Sequence, residues 1–175
     1  MKILALHTSE AGPLGSQVFH FKDDWSGTIA TNILFSGPNG CGKSSVLRAM
    51  AVLWSAFGQW LHSRKTLPKS SADREWLQRW GGLALVLEEL PFDGQPLVLI
   101  FGVKEFVDHI AQQYPGYSIV GEQFARAGKP GAPGRKLLWL KDSAWLDRWT
   151  EERQKMMVAA DKWFSHGNHR KLFTE

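Results

Sequence analysis

Nine consecutive residues constrain this chain more than any others: Gly37, Pro38, Asn39, Gly40, Cys41, Gly42, Lys43, Ser44 and Ser45. They fit G-x-x-x-x-G-K-[ST], the pattern of a loop that cradles phosphate between a strand and a helix. Thr31-Asn32-Ile33-Leu34-Phe35 is a short apolar stretch bounded by polar residues, which predicts a buried parallel strand entering the loop. From Ser45 to Trp54 most positions are apolar and none is Gly or Pro. That predicts a buried helix leaving the loop and running to about Trp60 or Ser63. Glycines let the backbone take positive φ and turn successive N–H groups onto one anion. The unpaired N–H groups and dipole of the first helical turn add to the attraction. On this reading the nine residues hold a nucleotide, Lys43 reaches its β and γ phosphates, and the Ser44 hydroxyl ligates Mg²⁺. A turn that merely joined a strand to a helix would not need Lys43 and Ser44 side by side.

The chain of 175 residues is long enough for a domain with a proper core. With 43% hydrophobic and 22% charged residues its composition is that of a folded protein, which excludes a disordered chain. The net charge of +4 is compatible with a nucleic-acid partner, but the excess is small and scattered, so a plain solvated surface is the better account of it. Nine tryptophans serve core packing, a partner surface or base stacking, and composition does not choose among these. The single cysteine, Cys41, excludes an intramolecular disulfide. Its thiol lies where oxidation or alkylation would block nucleotide, though a small residue tolerated in a loop is the plainer reading. Met1 to His7 is too short an apolar run for a signal peptide, and no window approaches the length of about 20 apolar residues that spans a membrane. A cytoplasmic location and no membrane partner are expected.

Taken in order, Lys2–His7 predicts an opening strand and Gln17–Phe21 a half-buried second one, followed by a loop at Asp23–Gly27. Phe21 suits the core, while Trp25 is open to either core packing or stacking on a base. Ser71 predicts the cap of a short helix after a polar loop. Gly82–Leu90 and Leu97–Val103, joined around Asp93-Gly94, predict an antiparallel β-hairpin. A competing reading makes Leu85-Val86-Leu87-Glu88-Glu89 a metal-holding strand that ends in a catalytic glutamate, but such a strand needs an Asp where Glu88 stands. Lys104–Tyr114 predicts a short helix, and Tyr117–Val120 and Leu137–Leu140 predict strands flanking a basic loop over 127–136. His20 and His109 have no partner at metal-ligand spacing. Asp142 predicts the cap of a long amphipathic helix from Ser143 to about Ser165, with Trp149, Met156 and Trp163 on one stripe. The tail from His166 is polar.

The loop Gly-Pro-Asn-Gly-x-Gly-Lys-Ser-Ser resembles the Walker A loop of ABC-type P-loop ATPases, above all the SMC, RecF and RecN class that works on DNA. The resemblance covers about the first hundred residues, and only the loop is specific. It implies an α/β P-loop NTPase fold, an N-terminal lobe like that of an ABC-type head with an antiparallel hairpin region, over residues 1–141. The long C-terminal helix, 142–175, would begin a helical or coiled-coil insertion. It also implies ATP and Mg²⁺ as ligands, a homodimer as the working unit, DNA as a partner, and a role in DNA repair or phage defence. Leu-Ser-Gly-Gly occurs nowhere in the chain, and no Asp-Glu strand or switch histidine follows the hairpin. The expectation is therefore an incomplete head that binds ATP and hydrolyses it only when a missing C-terminal lobe or partner subunit completes it. Two alternatives stand beside it. A small P-loop kinase would need an acceptor-binding residue and an arginine lid, for which Arg135 with Lys136 is a thin candidate. A non-catalytic partner subunit would use nucleotide as a structural ligand.

Overall fold

The computed structural model describes residues 1–91, 94–125, 134–139 and 143–165, without the side chains of Trp139 and 160–165. The chain divides into two units, Met1–Leu140 and Lys141–Glu175. The first is an α/β unit built on a mixed six-stranded sheet. Its strands are β1 (Lys2–Ser9), β2 (Gln17–His20), β3 (Gly82–Glu88), β4 (Leu97–Val103), β5 (Ser118–Phe124) and β6 (Lys136–Trp139), in the order β2-β1-β3-β4-β5-β6. Its helices are α1 (Lys43–Ser63), α2 (Ala72–Leu77) and α3 (Lys104–Gln113).

The predicted hairpin is present. β3 and β4 pair antiparallel from Gly82↔Gly102 to Leu87↔Leu97, and every residue of β4 is buried. Strands covered on both faces read as unbroken apolar runs, as Leu83–Leu87 and Leu97–Phe101 do. Asp93 of the expected Asp-Gly turn lies outside the described residues. α3 is the crossover between β4 and β5, which pair in parallel and cannot be joined by a tight turn. On one face of the sheet, Val107 and Ile110 of α3 pack with Ala5, Ala84, Val86, Val98, Ile100 and Ile119. α1 lies on the other face. Its buried stripe of Val46, Ala49, Leu53, Ala56, Phe57 and Trp60 recurs at helical spacing. Ser71 caps α2, its hydroxyl accepting from the Arg74 N–H.

One predicted strand is absent. Thr31–Phe35 forms no ladder, Leu34 is 90% exposed, and only Phe35 is tied down, edge-to-face on Phe21 at 6.0 Å. The sequence pattern is that of a buried strand, but among the described residues no strand lies beside it. An apolar run without a ladder partner stays open to solvent. Phe21 itself is buried as expected. Trp25 is 99% exposed on a turn closed by Asp23, whose carboxylate accepts from the Trp25 N–H and the Ser26 hydroxyl. Those bonds hold the Asp23 carboxyl below its usual pKa.

The second unit contains α4 (Ser143–Ser165), where the long helix was expected. Trp145 and Trp149, one turn apart, have ring centroids 5.9 Å apart, and Lys155 pairs with Glu152. The expected cap Asp142, the loop residues 127–133, the side chains of Ala160 and Trp163, and the tail from His166 lie outside the described residues.

Two predictions come from the α3 face. Gly82 and Gly102 sit opposite each other, and the Phe106 ring lies directly over both; a Cβ on Gly102 would come within 2.6 Å of it. Gly102→Ala should therefore destabilise the fold by about 1–3 kcal/mol, read from the urea midpoint. Nearby, buried His7 hydrogen-bonds the Tyr114 hydroxyl at 2.7 Å. Burial first, then the charges of His20 and His109, lowers its pKa from 6.5 to about 4. A lowered folded-state pKa means that the unfolded chain takes up the proton first. This contribution is complete above pH 6.5 and is lost as pH falls from 6.5 towards 4. His7→Gln should flatten that part of the stability-against-pH curve measured by urea unfolding.

Candidate functional site

The phosphate-type loop is positioned by the seating of α1. At the start of the helix a side chain on Gly42 would overlap Leu14, which belongs to a 3₁₀ turn (Gly12–Leu14) just after β1. Glycine at 42 is thus required twice, for this close approach and for its φ of +95°. Gly37 and Gly40 also take positive φ, +145° and +85°. The Cys41 N–H donates to the Pro38 carbonyl at 3.4 Å, and α1 opens with the Val46 N–H donating to the Gly42 carbonyl.

Lys43 folds back over the loop. Its ammonium donates to the carbonyls of Gly37 at 2.7 Å and Pro38 at 2.8 Å, and lies 3.6 Å from the Cys41 sulfur. No side chain caps α1 and its first turn contains no carboxylate, so among the described residues nothing is seen to compete for the first-turn N–H groups of Lys43, Ser44 and Ser45. Ser44 is exposed. Gly37 through Ser45 are thus gathered at one helix end, as the sequence implies. The donor set of free N–H groups, one ammonium and one hydroxyl fits a polyphosphate with Mg²⁺.

The two glutamates that compete for a catalytic role are elsewhere. β3 pairs Gly82 with Ser9 and Glu88 with Lys2, so Glu88 lies at the end of β3 away from the 3₁₀ turn and the loop. Six steps along a strand are about 20 Å. Both acids also have structural partners: the Tyr117 hydroxyl donates to Glu88, and Lys2 pairs with Glu89 at 3.0 Å. Burial and Glu88 together push the Tyr117 hydroxyl up to about 12. Among the described residues there is no group of three or more His, Cys, Asp or Glu placed to hold a metal ion.

A buried charge pair went unread in the sequence. Glu122 on β5 is fully buried and pairs with Arg135. Its other oxygen accepts from the Leu67 N–H at 2.8 Å and the Trp60 indole N–H at 3.4 Å, while Arg135 donates to the Leu67 carbonyl at 3.0 Å. The expected strand stopped at Val120, so Glu122 fell outside it; a lone carboxylate inside Ile119-Val120-Gly121-Glu122-Gln123-Phe124 was the available signal. Burial, with the charge of Arg74 added, lowers Arg135 to about 10, still charged at neutral pH. Arg135, the arginine named for a kinase-type lid, is engaged in this pair.

No family model matches the chain, and no curated protein or solved structure matches it. No described helix is long and apolar enough to cross a membrane.

If Glu88 is structural, Glu88→Ala should leave nucleotide affinity within about twofold and lower stability through loss of the Tyr117 contact, measured by nucleotide titration and urea unfolding.

Proposed function

We propose that this chain is the ATP-binding N-terminal lobe of an SMC/RecF-like P-loop ATPase, incomplete for hydrolysis by itself. The observation that carries the reading is the Lys43 ammonium folded onto the Gly37 and Pro38 carbonyls of a loop with three positive-φ glycines, at the start of a long helix that has no side-chain cap. Bound ATP would supply the phosphates and Mg²⁺ the charge to offset them. Lys43 and the N–H groups of Gly42 to Ser45 would bind and orient that ligand, and Ser44 would hold the metal.

Chemistry needs more than this lobe offers. Hydrolysis requires an acid that positions water and further charge on the transferring phosphate. Glu88 and Glu89 are distant and engaged, so those groups belong to another segment or to a partner chain. The bare approach to the loop supports the same view, since Ile33 and Leu34 expose apolar surface beside the phosphate site. A role in DNA repair or phage defence rests on the resemblance of the loop alone, and a cytoplasmic location on the lack of a signal-like or membrane-length apolar run in the sequence. Engagement of Glu88 and Glu89 also favours the second reading, a partner subunit that keeps nucleotide as a structural ligand.

The test is ATP affinity and turnover of the wild type and Lys43→Ala, with and without duplex DNA. Expected are measurable ATP binding, at least tenfold weaker in the variant, and negligible turnover in both. Robust Lys43-dependent turnover by the chain alone would show that the lobe contains its own catalytic acid.

A further inference from the structure

We infer that Asn39, in the middle of the phosphate-type loop, is a site of spontaneous deamidation, and that the carboxylate so formed disables the loop for phosphate. The chemical step stands on the loop's own geometry, while its consequence for binding rests on the function proposed above. Asparagine loses its amide when the next backbone nitrogen reaches its side-chain carbonyl carbon. Here the next residue is Gly40, which has no Cβ to shield that nitrogen. Residues 38–41 form a tight turn: the Cys41 N–H donates to the Pro38 carbonyl, and Gly40 takes φ +85°, as the third residue of a type II turn does. The closing bond uses the nitrogen of Cys41, and among the described residues nothing accepts from the Gly40 N–H. Asn39 is exposed, and among the described residues no hydrogen bond holds its carboxamide away from the backbone. Asn32 is the contrast within the same molecule. It is exposed too, but it precedes Ile33, whose branched side chain crowds the nitrogen.

Solvent base takes the Gly40 amide proton, and the nitrogen attacks Cγ of Asn39. The bond from Cγ to the carboxamide nitrogen breaks, ammonia leaves with a proton from solvent, and a five-membered succinimide closes. Water then opens either ring carbonyl, giving aspartate or isoaspartate. The net change is one water consumed and one ammonia released, with no oxidant or reductant involved. Both products bring a negative charge into a loop whose only cation is Lys43. The Lys43 ammonium rests on the carbonyl of Pro38, the residue next to Asn39, at 2.8 Å. The new carboxylate therefore forms close to that ammonium, competes with phosphate for it and repels phosphate directly. Isoaspartate also adds a methylene to the backbone, which alters the spacing of the loop N–H groups. The same glycine that lets the loop turn thus gives it a finite chemical lifetime.

The test ages the purified chain under reductant at pH 6 and at pH 8.5. Mass spectrometry of the tryptic peptide over residues 23–43 follows the exchange of amide for carboxylate, and ATP titration of the same samples follows binding. Deamidation should appear at Asn39, faster at pH 8.5, with Asn32 intact, and the fraction of chain that binds ATP should fall in step. Asn39→Asp, never aged, should bind ATP about tenfold or more weakly with an unchanged circular dichroism spectrum. Asn39→Gln would have to close a six-membered ring, so it should keep its own starting affinity through the same ageing. Asn39 that deamidates no faster than Asn32 would overturn the site. Asn39→Asp that binds ATP as the wild type does, or Asn39→Gln that loses binding at the wild-type pace, would overturn the consequence. Fresh wild type that binds no ATP would sink the phosphate-loop reading instead, and the mass readout would still decide the deamidation.

Discussion

α1 is held at both ends, and the loop geometry depends on that. At its start Gly42 lies against Leu14, so the loop cannot move away from the end of β1 without opening a gap. At its far end the Trp60 indole donates to Glu122 under the sheet. Between these points Leu53, Ala56, Phe57 and Trp60 are completely buried. Each large apolar side chain so covered contributes about 1.5–3 kcal/mol. A helix fixed this firmly presents its first-turn N–H groups as a rigid set, and rigid donors bind an anion without a further ordering cost.

The Glu122–Arg135 pair is of a different kind. Two charges taken out of water recover little net stability, yet removing one partner costs about 3–5 kcal/mol because the other is stranded. Its worth here is positional. One carboxylate gathers the end of α1, the backbone at Leu67 and the start of β6, three segments distant in sequence. The alternation along β5 explains why it points this way: Ile119 belongs to the α3 face, so Glu122, an odd number of residues on, faces α1.

What was legible in the sequence was what local chemistry decides. Glycine spacing placed the loop, apolar periodicity gave the end of α1 to within three residues, and Ser71 announced α2. The β3–β4 hairpin was readable because both runs are apolar and of strand length. The misses are non-local. Nothing about Thr31–Phe35 taken alone shows whether a neighbouring strand exists, and a ladder needs two strands. Glu122 was invisible because its meaning lies in Arg135, thirteen residues away, and in Trp60, on another element. His7 was read as part of a plain strand; only the packing of α3 brings Tyr114 to it and, with His20 and His109, keeps it uncharged.

The bare approach to the loop and the tightly seated helix behind it pull in opposite directions, and the contrast is informative. A segment as apolar as Ile33-Leu34-Phe35 gains by burial, and Leu34 at 90% exposure forgoes nearly all of that gain. Its backbone forgoes ladder hydrogen bonds as well, since among the described residues none pairs with it. The donors of the phosphate loop are nonetheless arranged, because Leu14, Trp60 and the sheet hold α1 without help from the strand before it. The arrangement of the loop donors and the pairing of residues 31–35 into a sheet are thus separable in this architecture. On the proposed reading, phosphate contact would depend on α1, whereas hydrolysis would depend on a further segment or partner placed beside residues 31–36.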